Sequence, residues 1–141
     1  MDTAPLLKAR LDAVCRDTLG LVPRPSQWLA AEALVAGRLA ELATGEGKTL
    51  ALALAAALLA LRGRTVHLLT ANDYLAARDA QQLAGWYARL GLRASHVSAE
   101  QPAAHAPPPT GPTWCTSAPA SWSSPACATR WRAARSGRPR P

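Results

Sequence analysis

The sequence contains no phenylalanine, one methionine and three cysteines, and none of its nine acidic residues lies beyond Glu100. Each shortage excludes something. Cys15 stands alone in the first hundred residues, and Cys115 and Cys127 have no histidine or cysteine neighbours at zinc-site spacing, so neither a disulfide framework nor a structural zinc is implied. The longest apolar run, residues 50–61, has twelve residues. A membrane-crossing helix needs roughly 20, so this run reads as a buried helix. No basic-then-apolar leader opens the chain, because Asp2 precedes the first leucine pair and Lys8 and Arg10 follow it. The expected location is the cytosol.

The charge is unevenly spread. Residues 1–100 carry eleven basic and nine acidic side chains, whereas residues 101–141 carry five arginines and no acid, giving +7 in all. The same last segment holds nine of the twelve prolines and three of the five tryptophans, but no Leu, Ile, Val, Met, Phe or Tyr. Such a composition cannot build a hydrophobic core, and the segment is expected to be disordered. Its basic charge has no framework to present it, so the high pI does not by itself point to nucleic acid. A chain of 141 residues allows one domain of ordinary size.

Leu6, Leu7, Leu11, Val14 and Cys15 recur at helical spacing and predict an amphipathic helix over 4–18. Pro23 and Pro25 extend the chain, and Ser26 is a candidate N-cap for a helix over about 27–36. A short strand is predicted over 38–42, then a polar glycine loop, then the alanine/leucine helix. Residues 65–70 read as a β-branched and apolar strand, Asn72-Asp73 starts a helix running to Leu90, and 92–97 is the last expected strand. His67 lies in the first of these two strands and receives no catalytic role. Trp28, Trp86 and Tyr87 fall on helices and read as packing residues. The order α-α-β-loop-α-β-α-β predicts an α/β fold, a parallel sheet covered by helices.

The informative motif is Thr44-Gly45-Glu46-Gly47-Lys48-Thr49. Glycines let a loop curl so that several backbone N–H groups converge, and a following helix adds the positive end of its dipole. A lysine can then reach the β/γ-phosphates and a threonine hydroxyl can ligate Mg²⁺. Gly45, Glu46, Gly47, Lys48 and Thr49 are therefore candidate ATP-binding residues, with Thr49 reaching Mg²⁺ through the nucleotide. The strict pattern has Gly where this chain has Leu42.

Two further features carry a resemblance. Gln27 stands seventeen residues before Thr44, and Thr70-Ala71-Asn72-Asp73-Tyr74-Leu75-Ala76-Ala77-Arg78-Asp79 follows the 65–70 strand. Together with the glycine loop they resemble the ATPase motor of bacterial preprotein translocation, the SecA family, over about residues 20–97. The resemblance implies a partial nucleotide-binding motor domain over 20–100, preceded by the helix of 1–19 and followed by the low-complexity tail of 101–141. It implies that Gln27 contacts the adenine, that Gly45–Thr49 hold the phosphates and Mg²⁺, and that Asn72–Asp79 lie near the nucleotide side. Pro25 stands where the family has Asp. The implied partners are a SecY-type channel, unfolded preproteins and an anionic membrane surface, at the inner face of the plasma membrane. Hydrolysis also needs a second-strand acid and usually an arginine from a second motor domain, and no apolar strand ending in Asp-Glu follows Asp79. The catalytic residues are thus unassigned, and an incomplete motor that binds ATP without turning it over is expected. The alternative is a helicase-like nucleic-acid-binding module, against which the Asn72–Asp79 signature argues.

The tail admits another reading. Taken one base earlier, each codon joins the third base of one residue's codon to the first two of the next. Trp114 followed by Cys115 then forces Val, and His105–Thr116 permits Arg-Ala-Ala-Ala-Tyr-Arg-Ala-Asp-Val-Val-Tyr. Ala126–Thr129 permits Leu-Arg-Asp, eleven positions after that last Tyr. The family has closely similar segments at the same separation, although its Phe-Asp-Tyr before Leu-Arg-Asp is matched only at the Phe. The expectation is that the chain is out of frame from about residues 100–105 onward.

Overall fold

A computed structural model describes residues 3–97 and 112–116. Four helices and three strands follow in the order α1 (Thr3–Leu19), α2 (Pro25–Val35), α3 (Lys48–Ala60), β1 (Val66–Thr70), α4 (Asp73–Arg89), β2 (Ser95–Val97) and β3 (Pro112–Thr116). The strands form a parallel sheet in the order β1-β3-β2.

Helix α3 lies at the centre because almost every side chain on it is small or apolar. Leu50, Ala51 and the whole stretch 53–58 are buried, as expected of a helix that is apolar all round. Helix α2 packs on α3 and α1 on α4. The α4 stripe of Ala76, Ala80, Leu83, Trp86 and Tyr87 closes over the sheet and joins the same core. Trp86 and Tyr87 are fully buried, with ring centroids 4.9 Å apart, and the Tyr87 hydroxyl donates to the Ala53 carbonyl at 3.3 Å. Trp28 is buried too. Val66 and Leu68 of β1 face this core, while Leu69, on the opposite side of the strand, is 49% exposed. Helices thus cover one face of the sheet among the described residues.

Three expectations are corrected. Residues 38–42 form no strand and join no ladder, and Leu39 is almost wholly exposed; Arg-Leu-Ala-Glu-Leu lacks the β-branched and aromatic residues that suit a pleated surface. Helix α2 begins at Pro25 with Arg24 as its N-cap, not at Ser26, because proline has no N–H to lose at the first helical position and its φ is already helical. The third correction concerns the tail, where five residues expected to lack structure form the central strand β3. Its Pro112 pairs in register with Val66, and Trp114 with both Leu68 and His96. A proline is tolerated at a strand's first residue, and Thr113, Trp114 and Thr116 are good strand formers. The rest of the tail expectation lies outside the described residues.

Candidate phosphate-loop site

The glycine loop connects the irregular segment after α2 to the first turn of α3. Gly45 and Gly47 adopt φ of 86° and 75°, the left-handed region that side chains disfavour. Gly47 is the N-cap of α3, so Lys48 and Thr49 occupy its first two positions. Their N–H groups belong to the set that a helix leaves without an intrahelical acceptor. The turn closes through the Ala43 carbonyl, which accepts from Glu46 N–H at 3.3 Å and from the Lys48 ammonium at 3.3 Å. Lys48 is exposed and Thr49 half-buried.

Gln27, in the first turn of α2, is 5% exposed although it is polar. Its Nε2 donates to the Glu46 carbonyl at 2.9 Å and to the Gly47 carbonyl at 3.3 Å. Its Oε1 accepts from Arg24 N–H at 2.9 Å. The Glu46 carboxylate is held from the same turn, accepting from Ser26 Oγ at 3.2 Å and pairing with Arg24 Nη1 at 3.8 Å. The six residues singled out by sequence are therefore brought together, with α2 clasping the loop at Glu46.

Beside them lies a cleft of about 590 Å³ lined by Gly45, Gly47 and Thr49 of the loop and helix start and by Leu21, Arg24 and Gln27 around the start of α2. That volume is in the range of small-ligand sites. Helix α4 contributes Gln82 and Leu83 to the wall and none of residues 72–79. The Asn72–Asp79 signature instead serves α4 itself. Asn72 Oδ1 accepts from Leu75 N–H at 2.9 Å as an N-cap, and Arg78 Nη2 pairs at 2.6 Å with Asp79, which is 4% exposed. Arg24 and Gln82 escaped the sequence reading because no motif marks them. They reach the cleft through the entry angle of α2 and the packing of α4.

Comparison with known proteins bears on the family. The model of the SecA DEAD-like domain matches residues 2–107. The chain is similar to the protein translocase subunit SecA 2 of Thermobifida fusca, at 51% identity over 85 residues, covering 60% of this chain and 11% of that protein. It is equally similar to the subunit SecA 2 of Mycolicibacterium smegmatis, at 51% over 86 residues, 61% of this chain and 11% of that protein. A SecA 2 from Mycobacterium sp. strain KMS is 45% identical over 102 residues, 72% of this chain and 13% of that protein. The chain thus spans about a tenth of the length of these relatives. With three-quarters of its residues inside the family match, this chain belongs to the SecA DEAD-like domain family.

Proposed function

We propose that residues 20–97 form part of the ATP-binding face of a motor that drives preprotein translocation, and that the chain binds nucleotide without hydrolysing it. The observation that carries this reading is the cleft lined by Gly45, Gly47 and Thr49 together with Gln27. Phosphates would lie against the loop and the start of α3, where N–H groups, the helix dipole and Lys48 all favour negative charge. The residues present fit Mg²⁺ held through the nucleotide. Thr49 offers the hydroxyl, and the metal would supply neutralisation of the β- and γ-phosphate charge. Gln27, by family resemblance, faces the base.

Turnover is not expected. No strand ending in Asp-Glu follows Asp79 in the sequence, and such an acid is what polarises the attacking water. By the same resemblance the longer protein would work from the cytoplasmic side, peripheral to the membrane, with a SecY-type channel, unfolded preproteins and anionic lipid as partners. No described helix is long and apolar enough to cross a membrane. Titration of the full chain with Mg-ATP tests the proposal. Binding that disappears in Lys48→Ala, with no phosphate release, is the expected result, and Lys48-dependent turnover would overturn the second half.

The reading of the tail as out of frame belongs to this proposal. Strand β3 supports it, since its position coincides with the shifted Asp-Val-Val-Tyr, and the central place between β1 and β2 suits those β-branched and aromatic residues better than Pro-Thr-Trp-Cys-Thr. Resequencing the DNA across codons 95–141 and beyond decides it. One base gained or lost should open a long family-like frame, and a confirmed reading with nothing family-like downstream would end the idea.

A further inference from the structure

The glycine-loop motif supplies one cation, Lys48. Its ammonium bonds to the Ala43 carbonyl at 3.3 Å, and among the described residues that line the cleft the one charged side chain is Arg24. Arg24 lies outside the motif. It is the N-cap residue of α2, its side chain is 61% exposed, and its Nη1 stands 3.8 Å from Glu46 Oε2. That separation makes an ion pair but exceeds hydrogen-bond length. An exposed pair of this kind contributes little to stability, so the guanidinium is only loosely committed to it.

Glu46 does not depend on Arg24 for its place. The same Oε2 accepts from Ser26 Oγ at 3.2 Å, which sets the carboxylate against the first turn of α2, a turn with no acidic residue of its own. The positive end of a helix dipole favours a carboxylate there. Arg24 can therefore leave while Glu46 stays. A phosphate chain is the stronger attraction, because a guanidinium presents five donors in a planar fork that matches phosphate oxygens two at a time. The pairing with Glu46 already places that fork at the glycine loop.

We propose that Arg24 is a second cationic ligand for the phosphate chain, and that Glu46 competes with the bound ligand for it. The inference rests on the nucleotide-binding reading above and adds an exchange to it: the Arg24–Glu46 pair opens as the Arg24–phosphate pair forms. Two consequences separate this from a merely structural Arg24. Removing the guanidinium weakens ATP and a bare phosphate chain alike, since the base takes no part. Removing the Glu46 charge strengthens both, and does so through Arg24.

The test is calorimetric titration of the full 141-residue chain with Mg-ATP and, separately, with Mg-tripolyphosphate. Wild type, Arg24→Gln, Glu46→Gln and the double variant are compared, and melting curves show whether each is folded. Arg24→Gln should lose about tenfold in affinity for both ligands, the order of one charge-assisted hydrogen bond. Glu46→Gln, which keeps an acceptor for Ser26, should bind both several-fold more tightly, and this gain should shrink in the Arg24→Gln background. Unchanged affinity in Arg24→Gln, or a loss confined to ATP, would overturn the proposal. An equal gain from Glu46→Gln in both backgrounds would overturn the exchange. Should a variant not fold, the Nε–H resonance of Arg24 in the wild type gives the answer. It should shift with tripolyphosphate as it does with ATP, and a resonance that tripolyphosphate leaves unmoved is the contrary result. Binding of neither ligand by the wild type would instead refute the nucleotide reading, and this inference with it.

Discussion

The indole N–H of Trp28 donates to the Asp12 carboxylate at 2.8 Å, tying α2 to α1. Lys8, one turn earlier on α1, lies 4.8 Å from the centre of the same ring and 3.4 Å from Glu32. Helix α2 presents both Trp28 to this contact and Gln27 to the loop. How firmly α2 is seated on α1 therefore bears directly on the cleft.

Trp28→Phe keeps most of the buried ring but leaves Asp12 without its donor. A hydrogen bond to a charged acceptor contributes about 1.5–3 kcal/mol, so a loss near that size is expected in urea unfolding. Asp12→Asn retains an acceptor and should cost about 1 kcal/mol or less. If Asp12→Asn is the more damaging of the two, the bond is not what holds α2.

Gly45 and Gly47 share a left-handed backbone but not their surroundings. An added Cβ at Gly45 meets nothing within 4 Å, while at Gly47 it meets Gln27. Gly45→Ala should therefore lose about 1–2 kcal/mol from backbone strain alone. Gly47→Ala should lose more and should also weaken nucleotide binding beyond Gly45→Ala. Equal effects in melting and titration would remove the Gln27 contact from the explanation.

Asn72 Oδ1 accepts from Leu75 N–H at 2.9 Å at the start of α4. Asn72→Ala should destabilise the fold by about 1 kcal/mol, the usual value for a lost N-cap, and Asn72→Asp should preserve it. A neutral Asn72→Ala in chemical unfolding would mean that α4 is held by its core face alone.

Burial, helped by the Asp12 carboxylate, pushes the Cys15 thiol from 9.0 up to about 11. Between those values the unfolded chain has lost the thiol proton and the folded chain has kept it, so raising the pH draws the equilibrium toward unfolding. The stabilisation is complete below pH 9 and is lost as pH rises through about 11. The melting temperature of the wild type should fall more steeply over that interval than that of Cys15→Ala. Parallel slopes would show that Cys15 is not desolvated. Burial raises the Tyr87 hydroxyl too, but that contribution is common to both proteins.

Much of the site was legible because it is local. Gly45, Gly47, Lys48 and Thr49 sit within one turn-and-helix start, and the backbone demands of that geometry select those residue types directly. The helices were legible for a similar reason. The 50–61 run and the Leu83, Trp86, Tyr87, Leu90 stripe state which side must be buried. Strands were harder. Residues 112–116 have strand-forming Thr and Trp and also two neighbouring strands to pair with, whereas 38–42 have neither, and the neighbours follow from packing rather than from either pentapeptide.

The four helices, the glycine loop and the family were legible in the chain alone, since periodicity, glycine placement and motif spacing are properties of residues taken in order. The place of β3 between β1 and β2, and the contacts of Gln27 Nε2 with the Glu46 and Gly47 carbonyls, came from the tertiary structure alone. The physical reason is range. A hydrogen bond between residues nineteen or twenty positions apart, or a ladder between strands more than forty apart, depends on how whole elements pack, and packing is settled by the summed burial of the core.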